Sequence, residues 1–321
     1  MNNANNFSRR SFLTKMALAG AAIPLAGLEG SRLFDYAPAS TRKIHVFSKH
    51  LHWLSYDDTA SVLAESGAEG IDFTVRPGGH VLPEKVESDL PKAVEAAHKK
   101  GLKVDMIVTA ITSTGDKYTE PIIKTASSLG IKYYRLGWFS YDDGISIRDN
   151  LQKAGSEFQR LAGMNQKYNI HGAYQNHAGT YIGASIWDLY ELVKDLNPEF
   201  IGSQYDVRHA VFEGANSWVN GFRLIIPWVH CTDLKDFIWT KTEGKWQPES
   251  VPIGTGMVNF DEYFKIVKKY DVPGPISIHF EYPPFENAKE KLPDAEKRKL
   301  FISGMKKDID AVKSYLAKYQ L

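Results

Sequence analysis

The sequence predicts an α/β protein, a (β/α)8 TIM barrel built as one domain. Three observations carry that expectation. A phrase of cap, helix, glycine and apolar run recurs three times in the first half of the chain. Eight strand-like runs, each followed by a helical stretch, fit between Ser40 and Leu321 with no linker or composition break; that rhythm is the signature of a parallel barrel. A doubly wound open sheet is the rival, but no GxGxxG opens a helix and no phosphate-loop lysine motif occurs. The "GTG" at Gly254 to Gly256 lies in a loop before a helix and is weak evidence alone.

In order along the chain, the first segment is not part of the barrel. "SRRSFLTK" pairs Arg9 with Arg10 ahead of Phe12 and Leu13, "MALAGAAIPLAGL" is apolar but too short to span a membrane, and "APAS" offers an Ala-x-Ala cleavage site. Charged start, apolar middle and small-residue end make residues 1–39 a twin-arginine signal peptide, with residues 40–321 as the barrel and the periplasm as the expected location.

The first strand is read at 43–48, "KIHVFS". "YDDTASVLAESGAEGIDFTV" then starts a helix with Asp57 or Asp58 as cap, stops it at Gly67 and enters a strand at 70–75. "PEKVESDLPKAVEAAHKKGLKVDMIV" puts Pro83 in a first turn, ends at Gly101 and enters a strand at 103–108. "YTEPIIKTASSLGIKYYRLGW" repeats the phrase through Gly130 into 131–136. Caps and prolines start helices, and a left-handed glycine ends them. The remaining strands are read at 170–175, 200–206, 227–231 and 275–281. Their apolar character suits strands covered on both faces.

Removing the basic Arg9, Arg10, Lys15 and Arg32 and the acidic Glu29 and Asp35 with the signal shifts the formal charge from +1 to −1. A near-neutral chain lacks the clustered Lys and Arg that nucleic acid demands, so no nucleic-acid partner is expected. No later apolar run reaches the length of a membrane span. Cys231 is the only cysteine, sits in a strand-like run and reads as a small buried apolar residue.

A barrel puts its chemistry at the C-terminal ends of its strands. There the sequence reads "YQNHAG", with Gln175 and His177; "QYDVRH", with Asp206 and His209; "VHCTDLKD", with His230 and Lys235; and "HFEYP", with His279 and Glu281. Strand side chains alternate faces, so Gln175 shares parity with His177, Gln204 with Asp206 and His279 with Glu281. Asp, His and Glu form an oxygen-and-nitrogen donor set suited to Mn²⁺, Zn²⁺, Co²⁺ or Mg²⁺.

With these motifs in view, the chain resembles the xylose-isomerase-like TIM barrels, a group that includes sugar phosphate isomerases and epimerases. The likeness spans most of residues 43–321 and rests on "YDVRH", "VHCTDLKD", "PIGTGMVNF" and "HFEY". In that family one divalent ion is held by Glu, Asp, His and Glu from the last four strands. The resemblance implies Gln175, Asp206, His230 and Glu281 as metal ligands and His209 as a substrate contact. It also exposes a departure: the family's fifth-strand glutamate falls on Gln175. An amide oxygen can ligate a hard cation, but it brings no charge and cannot act as a base. Epimerases of the family use two carboxylates on opposite faces of the substrate, and here one is missing.

The expected reaction is proton abstraction beside the carbonyl of an unphosphorylated sugar or keto-sugar, as isomerisation or epimerisation. Glu281 is the first candidate base and His177 the second, with Lys49 and Lys235 as oxyanion or leaving-group partners. Arg76 and His80 in "VRPGGH", and Trp53, Trp138 and Trp239 on post-strand loops, are candidate sugar contacts. Export argues against a phosphorylated substrate, and no Lys or Arg flanks "GTG" within three residues. Elimination from a 3-keto-glycoside is the alternative reaction, and a secreted sugar-binding barrel without turnover is the alternative class.

Overall fold

The computed structural model describes residues 42–286 and 292–321. The expected signal peptide and cleavage site lie outside the described residues. Eight parallel strands close a barrel: β1 (Ile44–Phe47), β2 (Gly70–Val75), β3 (Met106–Thr109), β4 (Tyr133–Arg135), β5 (His171–Gln175), β6 (Ile201–Asp206), β7 (Val229–Leu234) and, after an inserted hairpin, β10 (Ile276–Ile278). Their order around the barrel is β1-β10-β7-β6-β5-β4-β3-β2. The hairpin β8 (Asp236–Thr242) and β9 (Lys245–Val251) is antiparallel and leaves the barrel directly after β7. It was not anticipated. Its signal is the Glu243-Gly244 pair, both residues at positive φ, which is the turn that two-residue hairpins require.

The helices form where the caps place them. In α1 (Tyr56–Ser66) the cap is Ser55, not Asp57 or Asp58. Ser55 Oγ accepts from the Asp58 N–H and donates to the Asp58 carboxylate, a reciprocal arrangement that satisfies the first turn. Pro83 opens a short 3-10 turn that leads into α2 (Val86–Lys99). Gly67, Gly101 and Gly130 follow three successive helices with φ between +76 and +83, where any side chain would be strained. The long α3 (Ile147–Tyr168) and α4 (Asp294–Tyr319) add to the outer layer.

Two apolar bodies result. Outward residues such as Phe73, Tyr134, Tyr174, Tyr205, Leu234 and Ile278 pack against the helices in one contiguous core. Inside the barrel, Met106, Ala173 and Cys231 form a separate small plug, with Tyr133 packed against it. Above this plug the barrel interior is polar rather than aliphatic, and that is where the site lies. Cys231 is fully buried in the plug, and burial pushes its thiol far up.

The seventh strand differs most from expectation. It ends at Leu234 rather than at 231. It also bulges: Ser203 pairs with Val229 but Gln204 with Cys231, leaving His230 as the extra residue. Beyond the bulge, Asp206 stands opposite Asp233.

Candidate active site

Asp206, at the end of β6, and Asp233, in β7, each buried, point one ligand atom with that of His279 into a space where all three lie within 4.8 Å of one another. Asp206 caps the following helix, its Oδ1 accepting from the His209 N–H at 3.0 Å. His279 immediately follows β10 and stacks on Phe47, with ring centroids 4.4 Å apart. Its Nε2 lies 3.3 Å from Asp233 Oδ1, but without hydrogen-bond alignment, so both ring nitrogens are buried and unpartnered. Buried polar atoms are normally paired. Two carboxylates and an imidazole with spare lone pairs fit a divalent ion of the Mn²⁺, Zn²⁺ or Mg²⁺ class.

Gln175 does not offer its oxygen to this group. Its Oε1 accepts from Arg135 Nη1 at 2.8 Å, and its Nε2 donates to Asp206 Oδ2 at 3.0 Å and Asp233 Oδ2 at 2.7 Å. Gln204 Nε2 donates to the other oxygen, Asp233 Oδ1, at 2.7 Å. The glutamine is therefore a bridge between an arginine and two aspartates. A glutamate there would set a third carboxylate against two buried ones. Across the barrel on β2, Asp72 takes a 2.8 Å hydrogen bond from Ser277, and burial, with the Asp233 charge, pushes its carboxyl up to about 6.

Lys235, two residues after Asp233 and on the same face, immediately follows the strand. It is buried, and its Nζ lies 3.1 Å from both Asp206 Oδ2 and Glu281 Oε2. Burial opposes the ammonium, but Asp206, Glu281 and Asp233 outweigh it and raise its pKa. Glu281 thus engages lysine and does not join the Asp206–Asp233–His279 group. The residue two before it, His279, takes that place, because Glu281 stands one step higher, past the end of β10. Burial also opposes ionisation of Glu281, yet Lys235, His279 and Lys49 hold its carboxyl well below the usual range. Lys49 pairs with Glu286 and lies 4.0 Å from Glu281.

His177 forms a wall with Trp138 and His209, at 4.5 and 4.1 Å between ring centroids. Its Nδ1 is 2.9 Å from the Ala178 carbonyl, so that nitrogen carries the proton and Nε2 the lone pair. Burial, then Lys235, lowers its pKa to about 4. Arg76 sits 5.5 Å over the Phe47 ring at the barrel mouth. A cleft of about 350 Å³ between β9 and the segment after β10 opens beside Glu281.

Four sequence candidates lie elsewhere. His230, expected as a ligand, is at the opposite end of the barrel, with its ring 4.3 Å from that of His171, because β7 runs four residues beyond it. Trp53 packs edge-on to Phe301 and donates to the His50 carbonyl, facing α4 rather than the mouth. His80 is held by the Leu51 carbonyl and Thr59 and packs on Phe73, a structural role. Trp239 lies on the hairpin against Phe212. Conversely, Asp233, Arg135, Gln204 and Asp72 were not singled out by sequence; their signal was a polar residue inside an otherwise apolar strand.

The "GTG" loop is closed on itself. Asp236 accepts from the backbone N–H groups of Phe237, Gly254, Gly256 and Val258 at 2.8–3.1 Å. Those donors would otherwise form an anion cradle. A Cβ on Gly256 would lie 2.4 Å from Asp236 Oδ1, so only glycine lets the backbone come so near.

A family model described as a xylose isomerase-like TIM barrel matches residues 60–296. Among solved structures, the fold is similar to a xylose isomerase domain protein from Planctomyces limnophilus (TM-score 0.63, 15% identity, 88% of this chain and 99% of that one). It is similar to an L-ribulose 3-epimerase (0.64, 13%, 87% and 96%). It is also similar to a 3-keto-D-glucoside 4-epimerase from E. coli (0.60, 12%, 82% and 98%). No curated protein matches the chain significantly. Among the described residues no helix is long and apolar enough to cross a membrane.

Proposed function

This chain belongs to the xylose isomerase-like TIM barrel family, and from that premise we propose that it is a divalent-metal-dependent isomerase or epimerase of an unphosphorylated sugar or keto-sugar. The observation that carries the reading is the buried group of Asp206, Asp233 and His279 with the Lys235 ammonium set between Asp206 and Glu281. Asp206, Asp233 and His279 would hold the ion, which supplies positive charge beside a substrate carbonyl and so eases loss of the neighbouring proton.

The chain's own groups divide the remaining work. His177 accepts the proton: its Nε2 lone pair is free, and a pKa of about 4 leaves it neutral at physiological pH. Glu281 is the weaker base, since its lysine partners hold it ionised. It instead orients Lys235, whose ammonium steadies developing charge on oxygen. Trp138 beside His177 offers an aromatic face to a sugar ring. The Asp236 carboxylate already fills the loop that would receive a phosphate, which supports an unphosphorylated substrate. Export to the periplasm, proposed from the twin-arginine segment, agrees with that substrate class.

A specific observation favours elimination from a 3-keto-glycoside as the second reading. Two ammonium groups, Lys49 and Lys235, flank Glu281, and the fifth strand contributes an amide where a second carboxylate would serve symmetric epimerisation. Such a site has one proton acceptor and acids able to protonate a departing oxygen.

Proton NMR in heavy water with panels of keto-sugars and 3-keto-glycosides tests both. Exchange of the α-proton with return to an isomer supports the first reading, and release of the aglycone supports the second. Tight binding with neither outcome leaves a sugar-binding barrel.

A further inference from the structure

We propose a second metal site at the amino-terminal mouth of the barrel, in which His171 and His230 bind a borderline transition-metal ion of the Zn²⁺ or Cu²⁺ class. Both imidazoles face a cleft of about 220 Å³ that Glu199 and Tyr133 also line. The rings lie 4.3 Å apart and are tilted by 39°. His171 Nδ1 is 3.1 Å from the Glu199 carbonyl, so it donates there and Nε2 holds the lone pair. That Nε2 is buried and has no hydrogen-bond partner. A backbone carbonyl on one ring nitrogen and a bare lone pair on the other is the arrangement of a metal-ligating histidine.

Two comparisons sharpen the assignment. His45, a buried histidine in β1, is by contrast engaged at its ring nitrogens by Lys43 and Asp105. The bulge that expels His230 from the ladder register is what sets its ring against His171; bulges re-aim side chains. Imidazole donors select Zn²⁺, Cu²⁺ and Ni²⁺ over Mg²⁺. The Met106–Ala173–Cys231 plug separates this mouth from the polar upper interior. A site on this side of a barrel contributes stability rather than chemistry.

The test uses the full chain, stripped of metal and titrated with Cu²⁺ under electron paramagnetic resonance, with a parallel Zn²⁺ calorimetric titration. The expected wild-type spectrum contains a component coupled to two imidazoles. That component disappears in His230→Gln, while a one-imidazole component from the His279 group persists. Zn²⁺ affinity at the lower site falls at least tenfold in the same variant, and sugar turnover is unchanged. His230 is half-exposed, so this variant folds even if His171→Gln does not. A wild type without two-imidazole coupling, or a His230→Gln protein that retains it, overturns the proposal. Loss of the one-imidazole component alone counts against the upper site and leaves this one standing.

Discussion

Asp206 and Asp233 face each other across adjacent strands, and a single amide, that of Gln175, hydrogen-bonds to both. Two buried carboxylates so close repel. The amide donates to each and passes its oxygen to Arg135, which lets both acids stay near one another.

Replacing that amide by a carboxylate is therefore expected to weaken the metal-free protein. Gln175→Glu should lower stability by about 3 kcal/mol or more, and added Mn²⁺ should recover most of the loss. Gln175→Leu, which removes the bridge without adding charge, should cost about 2–4 kcal/mol and recover less. Thermal unfolding with and without ion checks both. Equal midpoints for wild type and Gln175→Glu would refute the bridging role.

His177→Gln is expected to slow solvent exchange of the substrate α-proton by at least ~100-fold. Glu281→Gln should slow it less, since that residue acts through Lys235. Because His177 must be unprotonated to act, and its pKa is lowered to about 4, activity should hold through neutral pH and fall as pH drops through about 4. Full exchange in His177→Gln would move the base elsewhere.

Asp236→Ala leaves the N–H groups of Phe237, Gly254, Gly256 and Val258 without their acceptor. At ~1–3 kcal/mol for each buried donor left unpaired, partly offset by water, a loss of about 3 kcal/mol is expected in urea unfolding. Limited proteolysis should open at residues 252–258, and an unchanged digestion pattern would argue against the anchor.

Asp308, on α4, takes a 2.9 Å hydrogen bond from the Tyr282 hydroxyl, and burial pushes its carboxyl up to about 6. The folded state then holds a proton that the unfolded chain, near 3.9, releases. That stabilisation is complete below about pH 4 and lost as pH rises through 6, a change of up to about 3 kcal/mol. Asp308→Asn lacks it, so the variant should gain on wild type between pH 4 and pH 7. Parallel melting curves across that range would contradict the assignment.

The fold was legible because its punctuation is local. Gly67, Gly101 and Gly130 each end a helix within the sequence window that reveals it. Asp206 was legible for the same reason: it closes an apolar run and caps a helix. The seventh strand was not. Its bulge and its true end depend on pairing with β6, so "VHCTDLKD" gave the histidine prominence and hid Asp233. Parity coupled His279 to Glu281 but not which of the two sits level with Asp206, since height depends on barrel register. The amide of Gln175 was noticed as an oddity, yet its partners, on β4, β6 and β7, lie 31 or more residues away in the chain.

The looped-out His230 also sets the phase of everything downstream in β7. Were that position kept in the ladder instead, Gln204 would pair with His230 and Asp206 with Thr232, turning Asp233 and Lys235 toward the helices and exchanging them for Thr232 and Leu234. Barrel closure would survive such a slip; the reaction centre would not. The proposed chemistry of that edge thus rests on one surplus residue between two strands, and a length change beyond the bulge is far more hazardous than a substitution.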